Sequence, residues 1–365
     1  MAKKPKGKKG RKGGSKGKKG KKGKKGSSKV SKASKTPVYI DEKGRDIRTQ
    51  LSDVLRQYLK NCFKHLTQPH TEFTTQLNAC KEANLPLKSL VISTPLPSDS
   101  ADSLFSALSY WSFLDSLSIW KSCLDDMGTF HLSNFLASNC SVSLVDLSSN
   151  YISLGGCEAL GACMNDLNST IKELILDYNS ISDAGLCSLV HHLRMNPSLL
   201  HLSLRYCDIS MIGGIVIGRD LLGEHSSCVL ESLNLQGNVI GLPGLLSIGD
   251  GLTQNRTLKR LILSDTGIPC DVDVVGVFCR GVLACETLTH VDLSATELGP
   301  RSGDLFLNLA TEKKNLTHLS LPHHIGKVAL KGIADAVGKN ATASKKGKKG
   351  KKGKKGKKGK KTKKK

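Results

Sequence analysis

Residues 199–209 read LLHLSLRYCDI and residues 230–240 read LESLNLQGNVI. Apolar residues hold positions 1, 4, 6 and 11 of each block, and Cys207 or Asn238 holds position 9. The alternation around positions 3 to 7 is the two-residue period of a strand with one buried face. The same block returns as VSLVDLSSNYI (142–152), IKELILDYNSI (171–181), LKRLILSDTGI (258–268), LTHVDLSATEL (288–298) and LDSLSIWKSCL (114–124). Degraded copies, LKSLVISTPLP (87–97) and LTHLSLPHHIG (316–326), stand at the two ends. First positions fall at 87, 114, 142, 171, 199, 230, 258, 288 and 316, at spacings of 27 to 31 residues. Between blocks run apolar patterns at helical spacing, such as GLCSLVHHL (185–193) and GLLSIGDGL (244–252). Such a unit cannot bury its apolar side alone and must stack on its neighbours.

The block LxxLxLxx(N/C/T)x(I/L), repeated about every 28 residues with a helix in each unit, resembles the leucine-rich repeat of the ribonuclease-inhibitor-like class. The resemblance covers roughly residues 86–338. It implies an α/β solenoid, a horseshoe of about nine repeats with parallel strands on the concave face and helices on the convex face. Leucines at positions 1, 4 and 6, Leu204 among them, point inward. Asn150, Asn179 and Asn238 at position 9 can satisfy buried backbone groups of the adjacent turn. Cys207, Thr266, Thr296 and Ser122 replace Asn there with smaller polar groups, so Cys207 reads as a ladder residue rather than a reactive thiol.

Positions 3, 5 and 7 line the inside of the solenoid. Position 3 supplies Glu173, His201, Ser232, Arg260, His290 and His318. Position 7 supplies Trp120, Ser148, Asp177, Arg205, Gln236, Ser264 and Ser294. Asp146 and Asp292 stand at position 5, and Tyr178 and Tyr206 follow at position 8. A Trp among Tyr and Arg side chains has the composition of a protein-binding surface. The early repeats are acidic here and the later ones carry a His/Arg row. Substitution of Ser203, an outward-facing serine, is expected to cost little.

The flanks read as caps. DIRTQLSDVLRQYLKNCFKHL (46–66) sets Ile47, Leu51, Val54, Leu55, Tyr58, Leu59, Cys62, Phe63 and Leu66 on one helical face, in a helical N-terminal cap over 37–85. IGKVALKGIADAVGK (325–339) reads as the last helix, ending after Gly338.

Charge is segregated. Residues 1–36 hold 17 Lys/Arg and residues 344–365 hold 15 Lys, with no acid in either. Of the 55 basic residues, 23 therefore remain to face all 31 acidic ones, and the middle of the chain carries −8. The tails, 1–36 and 339–365, are built around Lys-Lys-Gly brushes (18–26 and 348–361) that contain no apolar residue, and are expected to be disordered polycations. They lack aromatic residues for base stacking, so generic tethering to a polyanion (tubulin tails, RNA or anionic lipid) is expected rather than sequence-specific reading.

No apolar run reaches membrane-span length, and the N-terminus has no signal-peptide core, so an intracellular protein is expected. Twelve cysteines without CxxC pairs suit a reducing compartment and give no zinc spacing. Asn139, Asn168, Asn255, Asn315 and Asn340 begin Asn-x-Ser/Thr triplets; three of them sit three residues before a block and read as the helix-to-strand turn rather than as glycosylation sites. No GxxxxGK(S/T), GxSxG or HExxH occurs. The pairs His191–His192 and His323–His324 form no metal triad. No catalytic residue, metal or cofactor is nominated, and no enzyme is expected.

The reading is a non-enzymatic adaptor that binds a protein partner in its groove and tethers through its tails. Resemblance to basic-ended leucine-rich adaptors of cilia and flagella points to a microtubule or axonemal partner in the cytoplasm, cytoskeleton or cilium. The Ran GTPase-activating proteins share the repeat class, so regulation of a small GTPase is the second reading. The lysine runs also suit a nuclear or RNA-associated adaptor.

Overall fold

The computed structural model describes residue 40 and residues 44–109, 111–165 and 170–355, with side chains to residue 345. The N-terminal tail over 1–36, residues 356–365 of the C-terminal tail, and Asn168 lie outside the described residues.

Nine short strands follow one another in chain order within one sheet: β1 (Ser89–Ile92), β2 (Ser116–Ile119), β3 (Leu144–Asp146), β4 (Glu173–Ile175), β5 (His201–Ser203), β6 (Ser232–Asn234), β7 (Arg260–Ile262), β8 (His290–Asp292) and β9 (His318–Ser320). Every neighbouring pair is parallel, and the position-3 residues pair across the sheet from Ser89↔Ser116 to His290↔His318. Position 4 of each block from β1 to β8 is buried, and positions 3 and 5 flank it at the other face.

Helices return the chain between strands: α3 (Ser98–Leu108), α4 (Asp126–Ser138), α5 (Leu154–Met164), α6 (Ser182–Leu193), α7 (Met211–Val216), α8 (Gly241–Gln254), α9 (Val272–Ala284) and α10 (Gly303–Glu312). The 31-residue unit between Leu199 and Leu230 absorbs its extra length as a π-helical turn, Ile217–Leu221, directly after α7. One core runs through all the units, and Leu204 is fully buried within it.

The N-terminal cap is two helices, α1 (Ile47–Lys64) and α2 (Thr71–Ala83). The buried stripe of α1 is narrower than the sequence suggests. Ile47, Leu51, Tyr58 and Cys62 are buried, but Leu59, Phe63 and Leu66 are 44%, 83% and 90% exposed. Asn61 takes a buried place instead, its amide donating to the Ser103 carbonyl of α3, and Leu66 lies past the helix end at φ 55°, which turns it outward. From α2, Gln76 pairs with the free edge of β1: its Nε2 donates to the Val91 carbonyl at 2.6 Å and its Oε1 accepts from the Val91 amide at 3.0 Å. Glu72 accepts from the Ser93 amide and hydroxyl. These bonds satisfy an edge that would otherwise template pairing with another chain.

The last helix, α11 (Lys327–Lys355), does not stop at Gly338. Asn340 is buried and donates to the carbonyls of Ala310, Lys313 and Leu316, which clamps the helix onto the final repeat beyond the expected boundary. The helix runs to Lys355, against the disordered tail expected from residue 339, although Gly347, Gly350 and Gly353 lower the helix propensity of its last turns.

Candidate functional site

The position-9 ladder forms as expected. Asn150 Oδ1 accepts from the amides of Ser122 (3.0 Å) and Leu124 (3.1 Å), while its Nδ2 donates to the carbonyls of Ile119 (2.6 Å) and Leu147 (2.9 Å). Asn238 repeats this with the Cys207 and Ile209 amides and the Leu204 and Leu235 carbonyls. Asn179 binds the Ile152 amide and the Leu147 and Leu176 carbonyls. Ser122, Cys207, Thr266 and Thr296 each reach only carbonyls. Burial pushes the Cys207 thiol up to about 12, so the thiolate a nucleophile needs is suppressed.

A second buried column lies at the helix-to-strand turns. Asn139 donates to the Trp111 carbonyl, Asn196 to that of Met164, and the buried Lys313 ammonium to that of Cys285. Asn139, Asn255 and Asn340 are each at most 8% exposed, which explains three of the five Asn-x-Ser/Thr triplets as structure.

The open face of the sheet carries the residues singled out from the register, though not all as free surface. Trp120 is 40% exposed, with the Lys121 ammonium 5.4 Å from its ring centre. Glu173, His201, Gln236 and His290 are half-buried, and Arg260 is exposed. Asp177, by contrast, is 7% exposed. Its Oδ1 accepts from the Ser203 hydroxyl at 2.6 Å and the Arg205 amide at 2.9 Å, and the Arg205 guanidinium lies 3.8 Å from Oδ2. Ser264 is buried as well.

Position 5 explains where the other carboxylates point. Asp146 accepts from the amide of Ser148, Asn234 from that of Gln236, and Asp292 from that of Ser294, always two residues on. Each satisfies the amide at the strand's end. Where position 5 is the shorter Ser203, Asp177 of the preceding repeat supplies the acceptor. Asn234 belongs to the floor and was not singled out; the register alone would have found it.

Tyr178 and Tyr206 do not lie on the floor. Position 8 is a left-handed column: Lys121, Ser149, Tyr178, Tyr206, Gly237, Asp265 and Ala295 have φ between 49° and 75°. The two tyrosine rings stack at 5.0 Å on the rim. A Cβ on Gly237 would stand 2.2 Å from the Tyr206 ring, so glycine lets that ring cross the repeat and donate its hydroxyl to Asp265 at 3.2 Å. The bond to Asp265 raises the Tyr206 phenol above its usual range.

At the far end of the floor, His290 and His318 stack face to face at 3.8 Å. Burial first, then the neighbouring His318 and Arg260, push His290 down to about 4, which leaves its ring neutral near pH 7. Among the described residues no group of three or more His, Cys, Asp or Glu is placed to hold a metal, and no helix is long and apolar enough to cross a membrane.

This is the geometry of a repeat solenoid with one polar sheet face open. A family model described as "Leucine Rich repeat" matches residues 167–190, 196–218 and 226–249. The chain carries leucine-rich repeats, in step with the nine parallel strands of its sheet. It is 26% identical over 191 residues to NACHT, LRR and PYD domains-containing protein 14 of Homo sapiens, covering 51% of this chain and 16% of that protein. It is 25% identical over 200 residues to NACHT, LRR and PYD domains-containing protein 3 of Rattus norvegicus, covering 55% and 18%. The chain thus spans less than a fifth of the length of these relatives. Among solved structures, Rad7 in its yeast complex with Elc1 aligns at a TM-score of 0.43 and 16% identity, over 68% of this chain and 65% of that one. The Caenorhabditis elegans tropomodulin C-terminal domain aligns at 0.34 and 17%, over 41% and 92%.

Proposed function

We propose that the chain is a non-enzymatic protein-binding scaffold of the ribonuclease-inhibitor-like class, whose open sheet face holds a protein partner and whose lysine–glycine tails tether the complex to a polyanion. The observation that carries this reading is the sheet itself. Parallel sheets are ordinarily covered on both faces, yet here the outward residues of all nine strands stay half-buried or exposed, and Trp120 stands exposed directly after β2. An aromatic held on a rigid, wide polar floor loses little side-chain entropy on binding. The tails enter by charge alone: the 32 cations of residues 1–36 and 344–365, with no acid, suit the acidic tails of tubulin, RNA or anionic lipid. A cytoskeletal or axonemal setting is the proposed location.

Proximity labelling with the full-length chain supplies a partner for the test. Trp120→Ala and Gln236→Ala should each weaken that partner by about 1–2 kcal/mol with unchanged melting, whereas Arg280→Ala on α9 should leave affinity unchanged. Unaltered affinity in both floor variants would refute the reading.

A further inference from the structure

The middle of the floor contains a hollow of about 440 Å³ over β4 to β7. Its charged lining is polarised along the direction in which the strands stack. Glu173 stands at the β4 end and Arg260 at the β7 end, both at position 3. Between them at the same position lie His201 and Ser232, with Ser203 and Asn234 beside them. The other two charged groups in the hollow answer each other, since Asp177 and Arg205 share an ion pair and Arg205 also binds Gln236. Among the described residues, neither Glu173 nor Arg260 has a side-chain hydrogen bond or ion pair. The hollow thus presents one uncompensated anion and one uncompensated cation across a polar floor.

Three strand spacings separate the two poles, about 14 Å. An extended chain rises about 3.3 Å per residue, so residues four apart span that distance. Side chains two or four apart on an extended segment also point the same way. A guanidinium further favours a carboxylate or phosphate fork that it can meet with two parallel bonds.

We infer that the hollow over β4–β7 receives an extended segment of a protein partner, laid across the strands, with a basic residue on Glu173 and an anionic residue four positions away on Arg260. This rests on the protein-binding reading above and names the chemistry of the segment. The charge complementarity is two-point, so it selects spacing as well as sign. A segment of this kind is itself neutral and has no net attraction to the lysine-rich tails.

The test uses the full-length protein and the peptide Gly-Lys-Gly-X-Gly-Glu-Gly, where X is photoreactive benzoylphenylalanine, at physiological salt. Variants carry Lys…Lys, Glu…Glu, Lys…phosphoserine, or Lys and Glu two positions apart. Adducts are mapped by mass spectrometry. The Lys…Glu peptide should label the β4–β7 strands, and shortening the spacing should reduce that labelling. Arg260→Glu should reduce it about tenfold and raise Lys…Lys labelling by a similar factor, the size of one charge-assisted hydrogen bond. Stronger labelling by the phosphoserine peptide would support the inference and assign the anion to phosphate. Equal labelling by all peptides, or no response to Arg260→Glu, would overturn the inference and leave the scaffold reading intact. Adducts confined to the tails would overturn it too, and the scaffold reading would then rest on the partner's response to Trp120→Ala and Gln236→Ala. Floor labelling that falls as protein concentration rises would assign the face to a second copy of the chain, against the inference.

Discussion

Asn150 at position 9 is expected to satisfy buried backbone groups, and its side chain closes bonds to the Ser122 and Leu124 amides and to the Ile119 and Leu147 carbonyls. The register reads its cost correctly and that of Ser203 too low. Asn150→Ala should lower stability by about 1–3 kcal/mol. Ser203 looked interchangeable, but its hydroxyl donates to the buried Asp177. Ser203→Ala should therefore cost about 1 kcal/mol, more than an idle surface serine, and urea midpoints for the two variants check both values. His290 adds a pH dependence. Its folded value, about 4, lies below its ordinary 6.5, so the unfolded chain binds the proton first as pH falls. Its contribution is full above about pH 6.5 and is lost progressively between 6.5 and 4. His290→Gln should flatten that part of the stability–pH curve, and an unchanged slope would contradict the stacking geometry.

At the scale of elements, the helices of the later repeats pack backbone to backbone. A Cβ on Gly218 would stand 2.3 Å from the Ser247 carbonyl, one on Gly251 2.1 Å from the Gly218 carbonyl, and one on Gly281 2.0 Å from the Gly249 carbonyl. Gly251→Ala should destabilise by about 1–3 kcal/mol through overpacking. Gly276, also inside α9, meets nothing closer than 3.8 Å, and Gly276→Ala should gain up to about 1 kcal/mol of helix propensity. Thermal melts showing equal shifts for both would refute this packing. Strands and inward leucines were legible because period 2 and the 28-residue repeat depend only on residue class. The glycine contacts were not, because the register between helices of adjacent repeats is set by packing. The same holds for the cap. A helical stripe from Ile47 to Leu66 was visible, but where the neighbours end, and hence that Phe63 is left out, was not.

Across the whole molecule, the sequence displays one long-range pattern that the fold converts into a surface. Nine position-3 residues scattered over about 230 positions become a single row. Of the floor residues picked out by register, Trp120, Glu173, His201, Gln236 and Arg260 are accessible, while Asp177 is taken up by its neighbours through hydrogen bonds that no residue count reveals. The proposed tether through the charged tails belongs to this scale. Deleting both should abolish co-sedimentation with microtubules or RNA, and engagement of about 8 phosphates on duplex RNA or DNA would give a log–log salt slope near −7. Full binding by the tail-less chain would exclude them as the tether. The central claim, that the open sheet face is where a protein partner sits, is tested most directly by in-cell photo-cross-linking. Benzoylphenylalanine is placed singly at Trp120 and Gln236 on the floor and at Glu158 and Arg280 on the helices. The account predicts one discrete adduct, with the same partner, from both floor positions and none from the helix positions. Adducts from the helix positions alone, or equally from both faces, would contradict it.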